Sequence, residues 1–276
     1  MKILVTGAAG KLGAEVVKAL AGHEVVQAVR TQKVGTVATQ IELDLSDLAS
    51  IEPAIAATKP DTIIHLAAVI GEAQTNPDLA KKVNADATAE LAKASAKHGV
   101  RYFLFASTAA VYAQNELLPT DEDSNIAPAA VYGQTKLAAE QALANSAGDV
   151  KFIAFRIFNV YGPTFTNSLV YKLAKSTPEQ PVQLNGFETF YRDYVHVNDV
   201  VRALVQFDAF ANLPNFTVMN IAGGRAVNNK MLVEELTAQG VTPHYDVKQA
   251  PASYSWADIT RAQKLLGFKP AQSIIW

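Results

Sequence analysis

The first half of the chain alternates short apolar runs with longer alanine-rich stretches. The apolar runs predict strands at 2–6, 24–29, 61–66, 101–107 and 151–155. Each run is almost continuously apolar rather than alternating, which is typical of strands buried on both faces of a parallel sheet. Because these strands alternate with helices, the pattern predicts an α/β fold with a Rossmann-type, doubly wound parallel sheet.

Three stretches, 12–20, 84–98 and 133–143, carry apolar residues at helical spacing. After about Val160 the pattern loosens, since six prolines between positions 163 and 251 interrupt it. We therefore expect a Rossmann-type domain at 1–160 and a smaller, substrate-binding lobe at 161–276, placed where ligands of open α/β sheets bind. A helix at 197–210 is expected to return to the first domain.

The composition is that of an ordinary globular protein and excludes several classes of function. Of 276 residues, 49% are hydrophobic and 18% charged, and the formal net charge of −2 gives no reason to expect nucleic acid or an anionic membrane as partner. The absence of cysteine excludes disulfides and cysteine nucleophiles. No acidic or histidine cluster has metal-ligand spacing, so no metal is expected. No run approaches the roughly 18 apolar residues of a membrane span, so we expect a cytoplasmic protein.

A glycine-rich turn follows the first strand. Gly7, Gly10 and Gly13 are spaced Gly-x-x-Gly-x-x-Gly, so the chain can turn sharply and the helix that follows can pack close to the sheet. A helix that starts near Lys11 would offer its N-terminus to a dinucleotide's pyrophosphate. The alternative is a tight strand-to-helix turn without a ligand.

The end of the second strand favours one form of that dinucleotide. Arg30 stands where an acidic residue would bind the ribose of NAD, and Lys11 adds a second positive charge. A guanidinium pairs well with a 2′-phosphate, so the sequence favours NADP(H) over NAD, the alternative being a solvated Arg30 and bound NAD. Asp44 is expected near the adenine, or else as the cap of a helix at 46–55.

Tyr132 and Lys136 are four residues apart and so lie on one face of a helix. A lysine ammonium beside a phenol is expected to lower the phenol's pKa, as a base for an alcohol proton requires. Tyr171 and Lys175 have the same spacing. Only the first pair follows a strand that ends in a hydroxyl, Thr108, so we interpret the second pair as ordinary helix surface.

Four other polar features have a structural alternative. Asn84 is expected to hold a water linked to the lysine, or to cap a helix. His65 ends a buried strand and is interpreted as structural. Ser46-Asp47 is expected to form a cap, and the acids at 121–123 a solvated loop.

Several short motifs resemble, in order over almost the entire chain, those of the extended short-chain dehydrogenase/reductases of the NAD(P)-dependent epimerase/dehydratase family. They are TGAAGKLG (6–13), HLAA (65–68), STAAVY (107–112), YGQTK (132–136), RIFNVYGP (156–163), RDYVHVND (192–199), NIAGG (220–224) and the segment 258–270. The resemblance implies an enzyme that moves a hydride between nicotinamide and a hydroxyl or keto carbon of a nucleotide-diphosphate sugar, like a UDP-glucose 4-epimerase or a 4-ketoreductase.

The resemblance also implies roles for individual residues. Tyr132 would be the base, Lys136 its electrostatic partner and a ribose ligand, and Thr108 the hydroxyl that bonds the reacting oxygen. Asn159 and Arg192 would lie near the substrate's phosphates. The expected cofactor contacts are Gly7, Gly10, Lys11, Leu12, Arg30, Asp44, Leu45, Ala67, Tyr132 and Lys136.

The resemblance narrows the reaction, and two other functions stay open. Sugar 4,6-dehydratases of the family carry an Asp-Glu pair after the catalytic threonine, where this chain has Ala109 and Ala110, so dehydration is not expected. The alternatives are an NADP-dependent reductase or dehydrogenase of a small non-nucleotide carbonyl or alcohol, and a non-enzymatic dinucleotide sensor. The family's habit implies a homodimer through the helices at 84–98 and 133–143.

Overall fold

The fold was analysed in a computed structural model that describes residues 1–31, 39–113, 119–146 and 148–276. The strands are β1 Lys2–Thr6, β2 Glu24–Val29, β3 Thr39–Glu42, β4 Thr62–His65, β5 Tyr102–Thr108, β6 Lys151–Ile157, β7 Asn159–Tyr161, β8 Val182–Asn185, β9 Phe190–Arg192, β10 Tyr194–His196, β11 Phe216–Ile221, β12 Val227–Asn228, β13 Tyr245–Lys248 and β14 Ser253–Ser255. The α-helices are α1 Lys11–Ala19, α2 Ile51–Thr58, α3 Pro77–Lys81, α4 Ala87–Lys97, α5 Val131–Ala144, α6 Leu169–Ala174, α7 Val197–Leu204, α8 Phe207–Phe210, α9 Asn229–Ala238 and α10 Thr260–Leu266.

Seven strands form one parallel sheet in the order β3-β2-β1-β4-β5-β6-β11, with flanking helices. Successive strands run outward from β1 in one direction and from β4 in the other, so the strand order reverses between β1 and β4. Ligands of such sheets bind beside the carboxyl ends of the strands at the reversal. The predicted α/β, Rossmann-type fold is confirmed.

The strands are apolar because most of them are covered on both faces. All four residues of β4 are buried, and Leu4, Ile63, Phe103 and Phe152 belong to one core cluster. This burial explains why the apolar runs are continuous rather than alternating. The strands predicted at 2–6 and 24–29 have the observed bounds, and those predicted at 61–66, 101–107 and 151–155 agree within one or two residues.

Three predicted helices differ from the observed ones. The helix expected at 84–98 begins as a π-helical turn, Lys82–Asp86, and continues as α4. The helix expected at 46–55 is a 3₁₀ turn, Leu48–Ser50, followed by α2. The helix expected at 197–210 is divided into α7 and α8. Apolar spacing does not reveal such breaks, because the buried stripe continues through them.

The contacts divide the chain into two compact units, and the chain passes between them more than once. The first unit is Met1–Val111, Pro128–Arg156 and Leu204–Met219, and the second is Tyr112–Ala127, Ile157–Ala203 and Asn220–Trp276.

The second unit has its own core and small sheets. Its sheets have the orders β10-β7, β12-β9-β14 and β13-β8. Tyr161, Leu173, Leu184 and Leu236 belong to its core cluster. In the part of the chain that the structure describes, no helix is both long and apolar enough to cross a bilayer.

Candidate active site

The glycine turn lies between β1 and α1, at the reversal of strand order. Gly7 has a φ of +69°, and its carbonyl accepts a hydrogen bond from the Gly10 amide at 2.9 Å. Gly10 is the N-cap of α1 and brings no side chain to the helix end. The first turn of α1 therefore presents backbone N–H groups at the positive end of the helix dipole, as an anion site requires.

Two of the glycines are required by close packing. A Cβ on Gly7 would lie 2.7 Å from the backbone nitrogen of Ala67, just beyond β4. A Cβ on Gly13 would lie 2.1 Å from the Gly7 oxygen. The absence of a side chain at Gly7 and Gly13 therefore allows α1 and β4 to pack closely around the turn. This geometry fits the pyrophosphate of a dinucleotide, as the sequence predicts.

The residues expected near the adenosine lie beyond β2 and β3. Arg30 is exposed. The pKa of Asp44 is lowered, first because the amide and hydroxyl of Ser46 donate to its Oδ1, both at 2.8 Å, and further by the charge of Arg30. The 3₁₀ turn that follows is capped by Asp47, whose Oδ1 accepts from the Ala49 amide at 3.3 Å. The sequence predicts both Asp44 and Asp47 as possible caps, and the residue that caps this turn is Asp47.

The remaining predicted cofactor contacts belong to these same segments. Leu12 lies in the first turn of α1 and is half-buried. Leu45 is part of the core cluster, and Ala67 packs against it. All of the predicted cofactor contacts lie in the first unit.

Thr108, Tyr132 and Lys136 come together where β5 ends beside α5. The Thr108 hydroxyl is placed to donate to the Tyr132 phenol and acts to lower its pKa. Lys136 is 1% exposed, and its Nζ donates to the Ala106 carbonyl at 2.7 Å and lies 4.4 Å from the centre of the Phe105 ring. The three residues predicted as the reactive group thus form one cluster.

Gly133 brings α5 close enough for this arrangement. A Cβ on Gly133 would lie 2.2 Å from the Ala110 oxygen, in the 3₁₀ turn Ala109–Val111 that follows β5. The first turn of α5 therefore packs directly on that turn, which places Tyr132 beside Thr108. The glycine directly after the tyrosine is the sequence signal that could have identified this contact.

The predicted lowering of the phenol's pKa is wrong for this structure. Burial raises the pKa of Tyr132 to about 12, and the hydrogen bond from Thr108 opposes this only in part. Burial also lowers the pKa of Lys136 to about 7, while the charge of Glu140 opposes that shift. The cause is that burial penalises the charged form of both groups, which spacing along a helix does not reveal.

Glu140, Arg156 and Ser107 form a buried polar cluster that the sequence does not predict. Arg156 contacts Glu140 through Nη2–Oε2 at 2.7 Å and Nε–Oε1 at 3.1 Å. The Ser107 hydroxyl donates to the same carboxylate. The side chains of Arg156 and Glu140 are 6% and 4% exposed, so the pair is inside the first unit.

Asn84 does not cap a helix, and its role at a water linked to the lysine stays a prediction. Its Oδ1 accepts from the Val69 amide at 2.7 Å, and its Nδ2 donates to the Val69 carbonyl at 2.9 Å and to Thr135 Oγ1 at 3.1 Å. Thr135 in turn donates to the Tyr132 carbonyl at 2.9 Å. The asparagine lies within the π-helical turn, where its side chain joins the loop after β4 to α5.

His65 is a structural residue, as expected. Thr88 Oγ1 donates to the Asn84 carbonyl at 2.8 Å, so it accepts the bond from His65 Nε2 at 3.0 Å. His65 Nδ1 therefore accepts from Thr6 Oγ1 at 2.6 Å. Burial, with a smaller effect from the charge of Lys136, lowers the pKa of His65 to about 3, which keeps the ring neutral.

The two predicted phosphate ligands lie in the second unit. Arg192 donates to the Tyr191 carbonyl at 2.6 Å and to Ser253 Oγ at 3.0 Å, and its guanidinium carbon lies 3.7 Å from the centre of the Phe190 ring. The contacts of Arg192 fix the direction of its guanidinium. Asn159 Nδ2 donates to the Asp193 carbonyl, between β9 and β10, at 2.8 Å.

Two surface predictions have different outcomes. Tyr171 and Lys175 both contact the Trp276 ring, at 5.5 and 5.4 Å from its centre, so this pair packs rather than forming a reactive site.

The prediction that the acids at 121–123 are solvated is wrong for Glu122, which is 7% exposed. Its Oε1 accepts from the Asn220 amide at 2.7 Å, and Arg261 lies 3.4 Å from its Oε2. Partners distant in the chain compensate its burial.

Among the described residues, no group of three acidic or histidine side chains is arranged to hold a metal ion. The hydroxyls of Tyr132 and Thr108, which lie beside Lys136, can exchange a proton with a bound alcohol or ketone. That is the arrangement which, next to a bound nicotinamide, interconverts an alcohol and a ketone.

Known proteins share both the sequence and the fold. The model of the NAD dependent epimerase/dehydratase family matches residues 3–222. An uncharacterised UDP-glucose epimerase of Bacillus subtilis, YtcB, is 29% identical over 99% of this chain and 94% of that protein. The structure of MoeE5 in complex with UDP-glucose and NAD is 31% identical, with a TM-score of 0.85 over 99% of this chain and 95% of that one.

A second solved structure is similar to this chain in both sequence and fold. The UDP-glucose 4-epimerase of Thermotoga maritima, solved with UDP-glucose, is 29% identical, with a TM-score of 0.84 over 98% of this chain and 94% of that one. Since the family match spans most of the chain and these structures superimpose along nearly all of it, the protein belongs to the NAD dependent epimerase/dehydratase family and is an enzyme of the extended short-chain dehydrogenase/reductase type.

Proposed function

We propose that this enzyme moves a hydride between a nicotinamide and the C4 position of a UDP-sugar, as a 4-epimerase or a 4-ketoreductase. The observation that carries the proposal is the cluster of Thr108, Tyr132 and Lys136, in which Lys136 is buried and the other two residues are half-buried, in the unit that also holds the glycine turn. The relatives support the substrate class, since MoeE5 was solved with UDP-glucose and NAD and the Thermotoga protein with UDP-glucose.

Each residue of the cluster has a part in the proton transfer. Tyr132 accepts the proton of the sugar hydroxyl on oxidation and returns it on reduction. Thr108 bonds the same sugar oxygen through its hydroxyl. Lys136 supplies a positive charge one helical turn from Tyr132 and binds the cofactor's ribose. The glycine turn and the N-terminus of α1 hold the pyrophosphate, and the nicotinamide, when bound, supplies the hydride acceptor.

Arg192 and Asn159 are proposed to bind the substrate's diphosphate. Arg192 already has two hydrogen-bond acceptors and an aromatic face around it, so little side-chain freedom remains to be lost on binding. A guanidinium of fixed direction can bind a diphosphate with two parallel hydrogen bonds. If the substrate were a small carbonyl compound without phosphates, Arg192→Ala would leave its KM unchanged.

We infer a preference for NADP(H) from Arg30, an exposed cation that acts electrostatically on Asp44. The sequence has no acid at the end of β2, where NAD enzymes of this fold bind the ribose. We expect the kcat/KM ratio of NADP to NAD to exceed one, and Arg30→Ala to lower it. A ratio below one in the unmodified enzyme would contradict this preference, and the solved relatives with bound NAD make that the informative outcome.

We also propose a homodimer through α4 and α5, whose exposed faces carry the small side chains of Ala96, Ala138 and Ala144. Light scattering coupled to size-exclusion chromatography measures the mass directly. A monomer at micromolar concentration would contradict the proposal.

Tyr132→Phe tests the proposed chemistry, because it removes the proton acceptor and keeps the ring. We expect kcat with UDP-glucose or UDP-galactose to fall by about 10²- to 10⁴-fold, while cofactor binding by calorimetry stays close to that of the unmodified enzyme. Tyr171→Phe is the matched control, since Tyr171 has the same spacing to a lysine but contacts Trp276. Full activity in Tyr132→Phe would remove the mechanism.

A further inference from the structure

Strand β5 and helix α5 are joined by contacts at regular intervals. Along β5, Ala106, Ser107 and Thr108 contact Lys136, Glu140 and Tyr132, respectively. The three partners on α5 are four residues apart, so they follow one face of the helix. Two of these contacts belong to the proposed proton-transfer cluster, and the third, between Ser107 and Glu140, has no part in it.

Two groups pair with the side chain of Glu140. Arg156 contacts both of its oxygens, at 2.7 Å to Oε2 and 3.1 Å to Oε1, and the Ser107 hydroxyl donates to Oε1. The acidic member of this buried ion pair therefore lies on α5 one helical turn from Lys136.

The other described groups around Lys136 carry no negative charge. Its Nζ contacts the neutral carbonyl of Ala106 and the ring of Phe105. Desolvation favours the neutral forms of His65 and of the Tyr132 phenol. Arg156 is a cation, and it is paired with Glu140. Among the described groups that act on Lys136, Glu140 is the acidic one, and it raises the pKa of Lys136 against the effect of burial.

We propose that Glu140, anchored by Arg156 and Ser107, is a positioning residue that keeps Lys136 charged and thereby determines the upper pH limit of catalysis. The inference depends on the proposed function, because it acts through Lys136. Glu140 itself touches neither substrate nor cofactor in this proposal. Its effect is electrostatic: a fixed negative charge opposes the loss of the lysine proton that burial favours.

The test is Glu140→Gln, which keeps the shape of the side chain and removes its charge. The pH dependence of kcat/KM reports the ionisations of the free enzyme. We expect the midpoint on the alkaline side to move down by about one pH unit, so that activity falls about tenfold on that side and changes little on the acid side. An equal loss at every pH, or an unchanged midpoint, would overturn the proposal.

Glu140→Gln removes the carboxylate that pairs with the buried Arg156, so a second variant is needed in case the single one does not fold. In the double variant Glu140→Gln, Arg156→Met, both charges are removed and the thermal stability should recover. Its alkaline midpoint should also lie below that of the unmodified enzyme, because the carboxylate that opposes the loss of the lysine proton is absent. A midpoint equal to that of the unmodified enzyme would show that the carboxylate has no effect on Lys136.

Glu235→Gln is the matched control. Glu235 pairs with Arg225 in the second unit, through Nη2–Oε2 at 2.8 Å, so this variant also breaks an ion pair. Its midpoint should equal that of the unmodified enzyme. The Tyr132→Phe result separates the two hypotheses: an inactive Tyr132→Phe with an unshifted Glu140→Gln refutes only the role of Glu140, whereas an active Tyr132→Phe refutes the proposed function.

Discussion

Gly13 and Gly7 meet at a distance that excludes any side chain. A Cβ on Gly13 would lie 2.1 Å from the Gly7 oxygen and 2.8 Å from the Ala8 Cα, which are backbone atoms that cannot rotate away. At the scale of single residues, the glycine turn therefore requires that positions 7 and 13 carry a hydrogen in place of a side chain. The same kind of contact, between Gly133 and Ala110, positions the tyrosine of α5.

Gly13→Ala should weaken cofactor binding and lower stability, because α1 must move away from the turn. We expect a loss of about 1–3 kcal/mol in the free energy of unfolding and a rise of at least about tenfold in the cofactor Kd. Chemical denaturation and calorimetry measure the two effects. Gly71→Ala is the control, since a Cβ there meets no atom within 4 Å. Equal behaviour of the two variants would refute the packing argument.

Residues that look alike in the sequence have different environments in the fold. Tyr132 and Tyr171 each precede a lysine by four residues, yet only Tyr132 meets a threonine hydroxyl. The sequence predicts this difference, because a strand that ends in Thr108 precedes only one of the pairs. It does not predict that burial raises the pKa of Tyr132 to about 12, since the pattern carries no information on how much water reaches the phenol.

At the scale of elements, a chain of hydrogen bonds joins the end of β1, next to the glycine turn, to helix α5. It begins at the end of β1 with Thr6 and His65, and passes through Thr88 to the Asn84 carbonyl in the π-helical turn. From the Asn84 side chain it continues to Thr135 and the Tyr132 carbonyl. These hydrogen bonds therefore fix the positions of β1, β4, the π-helical turn and α5 relative to one another.

Thr135→Val should loosen this connection, because the side chain keeps its shape and loses the hydroxyl. We expect a loss of about 1–3 kcal/mol in the free energy of unfolding, since one N–H of the buried Asn84 amide then lacks an acceptor. We also expect kcat to fall severalfold as Tyr132 becomes less well positioned.

Ser95→Ala is the control for that variant. The Ser95 hydroxyl is also buried, but it bonds only the Leu91 carbonyl within α4, at 2.6 Å. Its loss should change stability slightly and kcat not at all. A kcat for Thr135→Val equal to that of Ser95→Ala would show that the chain has no effect on catalysis.

At the scale of the whole molecule, each unit has its own core, and the first contains a buried neutral histidine. Folding lowers the pKa of His65 from 6.5 to about 3. Its contribution to stability is therefore complete above pH 6.5. As the pH falls below 6.5, the unfolded chain takes up a proton that the folded unit does not, and the contribution is lost progressively down to about pH 3.

The first unit should accordingly lose up to about 1.4 kcal/mol of stability per pH unit below pH 6.5. Denaturant titrations at several pH values measure this slope. His65→Gln should reduce the slope by one proton, whereas substitution of the exposed His23 should not change it. A slope in His65→Gln equal to that of the unmodified protein would refute the assignment.

The sequence by itself determined the parallel sheet, the glycine turn and the set Thr108, Tyr132 and Lys136. These features depend on short-range periodicity and on motifs a few residues long, where the backbone geometry fixes which side chains are neighbours. The apolar strands also show directly that both faces of the sheet are covered.

Only the tertiary structure decided the charge states and the polar partners. Ser107 and Glu140 are 33 residues apart in the chain, and Glu122 and Asn220 are 98 apart. No local pattern marks such pairs, because each side chain alone looks like an ordinary surface residue. Burial and electrostatic interaction are properties of surroundings that distant segments build, so they exist only once the chain has folded.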